Sequence, residues 1–203
     1  MNKRIRHEIA QEAAKIIASS GQDDYLYAKQ KAASNMGIND NSILPSNIEI
    51  ESALVEYQAL FDQQQPENLQ RMRETALKAM QFFEDYQPLL VGPVVNGTAN
   101  RHSEILLHVF ADTAEDVGLY LDNRQIPFSI CERRLQYQKK SPVYFPTYRF
   151  LAGDFEIAAL VLPHSFRKQT PLDPVNGKPM RRVKPQQLVK MLDSKHGNDS
   201  VTG

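Results

Sequence analysis

The chain has 203 residues, 24 Lys/Arg against 24 Asp/Glu, and 41% hydrophobic content, which suits one ordinary domain or a domain with a helical extension. No run approaches the ~20 apolar residues of a membrane span. The basic N-terminus lacks the continuous apolar core of a secretory signal, so no membrane partner and a cytoplasmic location are expected. The single cysteine, Cys131, excludes an internal disulfide and a cysteine zinc site, and is read as a buried structural thiol.

In chain order, Ile5, Ile9, Ala13, Ile16 and Ile17 recur at three- and four-residue spacing and predict a helix over 3–19. Gly21 is suited to a left-handed cap at its end. Asp23 or Asp24 opens a second helix to about Met36, with Tyr25, Ala28, Ala32 and Met36 on one face, and Gly37 stops it. Its outer face (Asp23, Asp24, Lys29, Gln30, Lys31) lacks the basic footprint of a groove-reading helix. Ser46 and Glu49 have the spacing of a capping box, in which each residue satisfies an N–H of the other. Ile50, Leu54, Tyr57 and Phe61 then form the expected buried stripe. A fourth helix, about Pro66 to Tyr86, turns Leu69, Met72, Ala76, Met80 and Phe83 inward. Thr113 and Asp116 open a fifth, with acids in the first turn to suit the helix dipole and Val117, Tyr120 and Leu121 buried.

Residues 127–137, 143–151 and 155–162 read as strands. The second is expected to be bent or edge-placed, because Pro146 cannot donate to a ladder. Beyond residue 163 the prolines keep the chain extended or turning. A short closing helix is predicted over 185–192, and disorder from Asp193 onward. Ser165 to Lys195 holds eight Lys/Arg and two acids, so a basic tail follows a more acidic body. Such a tail either meets a polyanion or acidic partner, or packs on the chain's own acidic face.

The chain is organised around Leu89 to Phe110, LLVGPVVNGTANRHSEILLHVF. An apolar run is broken by Gly92-Pro93, a tight polar turn follows at Asn96-Gly97-Thr98-Ala99, and a second run alternates. As a strand, that run puts Glu104, Leu106 and His108 on one face and Ile105, Leu107 and Val109 on the other.

This frame resembles the polymerase-β-type nucleotidyltransferase superfamily, above all its small bacterial members. Their motif is a Gly-Ser pair at a strand end, a turn, then Asp-x-Asp on the next strand. Gly92-Pro93 stands at the Gly-Ser pair, Gly97-Thr98-Ala99 at the Gly-Thr-Ala turn, and Ser103-Glu104-Ile105-Leu106 at Ser-Asp-x-Asp. The whole chain also resembles an uncharacterised proteobacterial family with no function attached. The nucleotidyltransferase resemblance implies an α+β fold in which an N-terminal helical region (1–65) precedes a nucleotidyltransferase-like mixed β-sheet flanked by helices (66–164). A basic, Pro-rich tail with a short helix follows (165–203).

The resemblance implies nucleotide contacts from Gly92, Asn96, Gly97, Thr98 and Ser103, and Mg²⁺ held by Glu104 and by Glu156, which stands where the third carboxylate would. Glu156 is otherwise a strand-end glutamate facing water. Inside an apolar strand it needs a partner, and Arg133, Arg134 and Arg149 are the candidates. His108 is either a catalytic or metal-binding group beside Glu104 or a histidine lining a cleft. His164 opens the tail and is expected near the same cleft.

Two departures bear on chemistry. Leu106 offers no ligand where two metals would share one. Pro93 has neither a hydroxyl nor an N–H for a triphosphate. Three functions follow. The first is a degenerate nucleotidyltransferase that binds nucleotide, RNA or a protein without catalysis. The second is an active transferase with an altered set, Glu104 and Glu156 on the metal and His108 assisting. The third is a partner-binding or oligomerising module made by the N-terminal helices on an α/β scaffold.

Overall fold

The computed structural model describes residues 2–20, 24–138 and 141–196. Gly21, Asp23 and the stretch from residue 197, all of which carried expectations, lie outside them. The fold is α+β: an N-terminal helical region and a five-stranded mixed sheet. Among the described residues no helix is long and apolar enough to cross a membrane. The chain divides into two units. One comprises Met1–Asn68, Thr98–Ser103 and Pro174–Gly177; the other comprises Leu69–Gly97, Glu104–Asp173 and Lys178–Gly203.

The first unit is built on α1 (Asn2–Ser20), α2 (Tyr25–Asn35) and α3 (Asn47–Phe61). Helix α1 packs on both others. Its core is mostly small: Ala13, Ala14, Ala28 and Ala32 are fully buried beside Ile9 and Ile50. Small side chains let the helix backbones approach closely, and long helices gain most of their stability from such packing. Asp24 caps α2, accepting from the Tyr27 amide at 3.0 Å. The chain leaves α2 through Gly37, whose φ of +71° favours glycine. The expected capping box is present on α3: Ser46 Oγ accepts from the Glu49 amide at 3.3 Å, and Glu49 accepts from the Ser46 amide at 2.7 Å.

The α3 stripe departs from expectation at its end. Ile50 and Leu54 are buried, but Phe61 is 69% exposed and only stacks on Tyr57. The inward position belongs to Gln58, whose Nε2 donates to the Thr98 carbonyl at 2.8 Å. A polar side chain takes the buried place because a loop carbonyl needs its donor.

In the second unit the strands are β1 (Leu89–Val91), β2 (Ile105–Phe110), β3 (Ser129–Leu135), β4 (Val143–Ala152) and β5 (Phe155–Leu162), in the order β1-β2-β5-β4-β3. β2 and β5 run parallel and the other neighbours antiparallel. Every residue of β2 is buried, which is why it reads as a nearly continuous apolar run. α4 (Gln65–Phe82), α5 (Pro93–Asn96), α6 (Ala114–Asp122) and α7 (Pro185–His196) are the remaining α-helices among the described residues. The five residues expected to face inward from α4 and its extension are all buried, Leu69 to Phe83. Thr113 and Asp116 form a second capping box at α6.

One face of the sheet carries Val91, Leu106, Phe110, Leu135, Phe145, Ala158, Leu160 and Leu162, and Phe166 and Met180 of the C-terminal segment pack on it. On the other face Phe150 meets Phe83 edge-on, with centroids 5.9 Å apart. There Tyr148 lies so close under α6 that a Cβ on Gly118 would stand 3.0 Å from its Oη. At the β1 margin, Val183 and Leu90 exchange N–H···O bonds of 2.9 Å each way.

Three expectations are corrected here. β4 is not an edge strand. Pro146 is tolerated because the ladder to β5 begins only at Thr147, so Pro146 pairs with β3 alone. Cys131 is exposed, because its strand β3 is the sheet margin. The closing helix runs past Asp193 to His196.

Candidate functional site

Glu104 immediately precedes β2 and Glu156 is the second residue of β5. The parallel register pairs Ile105 with Ile157, which sets the two glutamates side by side at the strand starts. Glu104 is only 9% exposed. β3 and β4 bring arginines to the same sheet face. Arg133 donates to Glu104 Oε1. Arg149 Nη2 lies 2.5 Å from Glu156 Oε2 and 3.7 Å from Glu104 Oε2, so one guanidinium bridges both carboxylates. The partner that Glu156 needed is therefore Arg149.

This donor set does not fit a divalent cation well. Such ions take several hard oxygens at once. Here there are two carboxylates, both engaged by guanidinium, and Leu106 adds none. Among the described residues no three His, Cys, Asp or Glu side chains stand close enough together to hold a metal.

His108 lies on the same face as Glu104, but inside the core. It is fully buried, and neither ring nitrogen has a hydrogen-bond partner among the described residues. Burial, and then the charge of nearby Arg182, push its pKa down to about 3. The ring is thus neutral at ordinary pH. A group so enclosed is a poor proton shuttle for anything arriving from solvent. Thr147 Oγ1, Tyr137 Oη and Arg182 Nη1 are likewise buried with no partner among the described residues.

The expected nucleotide contacts divide between the two units. Gly92 adopts φ +77°, ψ −154°, and Pro93 starts α5. Pro93 at a first helical position needs no N–H, so the turn folds without the donor the resemblance calls for. Asn96 is exposed, and Gly97 ends the turn with φ +92° and an amide bond to the Pro93 carbonyl at 2.8 Å. Thr98 and Ser103 belong to the helical unit. Ser103 Oγ accepts from the Asn100 amide at 3.1 Å, while Asn100 Nδ2 donates to the Ile17 carbonyl at 3.2 Å. Gln65 Nε2 holds the Ala99 carbonyl at 3.0 Å. Residues 98–103 are thus fastened to their own unit, a role carried by Gln58, Gln65 and Asn100.

His164 does not join Glu104. It stands at the opposite end of the parallel strands, its Nε2 3.8 Å from Asp112 Oδ1. An open cavity of about 520 Å³ lies there, lined among others by Tyr86, Phe110, Asp112, Asp116, Tyr120 and His164. The carboxyl ends of parallel strands are where open α/β sheets usually take ligands, so this cleft has a structural claim that no sequence motif announced.

Arg73 was also not singled out by sequence. Arg73 of α4 is buried, and its Nε donates to the Val94 carbonyl at 3.2 Å. Burial, and then the like charge of Arg181, lower its pKa. Among the described residues the basic tail is not neutralised by an acidic face at Arg167, Arg181 or Arg182, none of which pairs there with a carboxylate. Arg182 instead donates to the Arg167 carbonyl at 3.0 Å and to Thr170 Oγ1 at 2.7 Å.

Comparison with protein-family models, with curated proteins and with solved structures finds no match.

Proposed function

We propose that the protein is a degenerate nucleotidyltransferase-like chain that binds a nucleotide without carrying out metal-dependent transfer. The observation that carries this reading is Arg149, which bridges Glu104 and Glu156. A fixed organic cation lies where the resemblance would place a mobile inorganic one. The charge balance is the same in kind, but a guanidinium cannot act as a Lewis acid on a phosphoryl oxygen. Leu106 and Pro93 point the same way, each removing a group that transfer would use.

A thermal-shift titration with ATP, CTP, GTP and UTP, each with and without Mg²⁺ or Mn²⁺, tests it. A ligand that binds only the folded chain, at ~100-fold excess over Kd, stabilises by ~2.7 kcal/mol. The reading expects a shift with nucleotide that needs no metal and persists in Glu104→Gln. A metal-dependent shift lost in Glu104→Gln would instead support an active transferase, in which metal and substrate phosphates displace Arg149.

A second reading is favoured by a separate observation. The helical unit exposes Leu26, Ile48, Val55, Leu60 and Phe61, each more than half exposed. Scattered exposed apolar residues are ordinary, whereas a contiguous patch marks a partner surface. Light scattering across a concentration series, with Leu60→Asp/Phe61→Asp as control, distinguishes self-association from a monomer.

A further inference from the structure

We propose that Asn176–Gly177 is a self-modification site, at which the Gly177 amide nitrogen closes on the Asn176 carboxamide and the asparagine ages to an aspartyl or a β-linked aspartyl residue. The chain holds two Asn-Gly pairs, Asn96–Gly97 and Asn176–Gly177. Both share the chemistry that makes such a pair labile. Glycine has no Cβ to screen its own nitrogen, and it lets the main chain turn toward the preceding side chain. The structure separates the two pairs.

Asn96–Gly97 is held. Asn96 is the last residue of α5, and its amide donates to the Gly92 carbonyl at 3.1 Å. The Gly97 amide, the nucleophile of this pair, donates to the Pro93 carbonyl at 2.8 Å. Attack there requires that bond to break and the helical turn to open first.

Asn176–Gly177 stands at the tip of a turn. The base of the turn is closed, where the Asp173 amide donates to the Lys178 carbonyl at 2.7 Å and Leu172 bridges to Pro179. Pro174 is fastened too, its carbonyl accepting from Asn47 Nδ2 at 2.6 Å. Past those ties the chain is in water. Asn176, Gly177 and Lys178 are exposed, and a Cβ on Gly177 would meet nothing within 4 Å. Among the described residues no acceptor holds the Gly177 amide.

The step needs no co-reactant but water. The Gly177 nitrogen gives up its proton and bonds to Asn176 Cγ, and the side-chain nitrogen leaves as ammonia. Water then opens the cyclic imide at either carbonyl. One opening leaves an aspartate in the ordinary main chain. The other routes the main chain through Cβ and Cγ and lengthens it by a methylene. Either way a neutral amide becomes a carboxylate in the basic tail. The β-linked product stretches the turn that the Asp173–Lys178 bond closes, so that bond is expected to weaken.

The full chain, held at mildly alkaline pH in heavy-oxygen water and sampled over days by peptide mapping, tests the site in native buffer and in urea. In native buffer Asn176 should gain the acid mass and the oxygen label about tenfold or more faster than Asn96, whose turn has to open first. In urea the two rates should converge. Asn176→Gln, whose longer side chain closes the ring poorly, should stay unmodified at that position. Equal native rates at Asn176 and Asn96 would overturn the proposal. So would an Asn176 advantage as large in urea as in buffer, because sequence and not fold would then set it. Hydrogen exchange at the Asp173 amide, compared between the purified β-linked form and Asn176→Asp, reads the consequence. Faster exchange in the β-linked form is expected, and equal exchange would overturn the loosening of the turn.

Discussion

Replacing His108 with leucine should make the protein less sensitive to acid. In the folded chain the imidazole is enclosed and stays neutral down to pH about 3. In the unfolded chain it takes a proton near its ordinary 6.5. Below pH 6.5 the unfolded state therefore binds a proton that the folded state refuses. Stability is whole above that pH, falls as pH drops toward 3, and levels off below. At pH 5 the loss from this one group is RT ln(1 + 10^1.5), about 2 kcal/mol relative to pH 8. That pH lies above the range where most carboxylates titrate, so the histidine's share is separable.

The assay is urea unfolding at pH 8, 7, 6 and 5 on wild type and His108→Leu, comparing the gap between them at each pH. The gap should widen in leucine's favour by about 2 kcal/mol between pH 8 and pH 5. At pH 8 the variant should already be no weaker than wild type. It removes two buried nitrogens that have no partner among the described residues, and each such group costs about 1–3 kcal/mol. Parallel stability curves for the two proteins would refute the reasoning, and would mean that His108 reaches water or a counter-charge.

Gly118→Ala, which in an exposed helix would gain about 1 kcal/mol, should instead lose about that much, because the new methyl meets Tyr148 Oη at 3.0 Å; thermal unfolding would show a fall of roughly 2–4 °C. Ser46→Ala should cost about 1 kcal/mol through loss of the α3 cap, read by the urea midpoint at unchanged slope. Glu104→Gln should cost ~1–2 kcal/mol, less than a wholly enclosed pair would, because the Arg133 and Arg149 side chains are 31% and 40% exposed. High salt should narrow the last gap, and an unchanged stability in Glu104→Gln would count against the network.

What the sequence made legible was mostly local. Both capping boxes, at Ser46–Glu49 and at Thr113–Asp116, are set by residues three apart, and both are present. The apolar run at 155–162 became β5, and the inward positions of α4 followed their spacing. What failed depended on partners distant in the chain. Phe61 is exposed because Gln58 is drawn inward by the Thr98 carbonyl, a bond no helical periodicity can foresee. Cys131 is exposed because β3 lies at the margin, and strand order is not written in the strand itself. The pairing of Glu104, Glu156 and Arg149 needs the register of three strands at once. The residues were legible, whereas the bridge between them was not. Arg73 was invisible for another reason: an arginine in an amphipathic helix reads as a solvated one until the packing shows it enclosed.

The bond between Val183 and Leu90 has a consequence for how the protein is made. β1 is emitted early, and the residue that closes its margin follows roughly 90 residues later, a delay on the order of ten seconds at ordinary rates of synthesis. Phe166 and Met180, which cover the Val91 and Leu160 face, arrive in the same late stretch. Until then the nascent sheet shows a bare strand margin and an uncovered apolar surface, the two features most prone to pair with another chain. For that interval the protein's safety rests on whatever escorts it off the ribosome, not on its own fold.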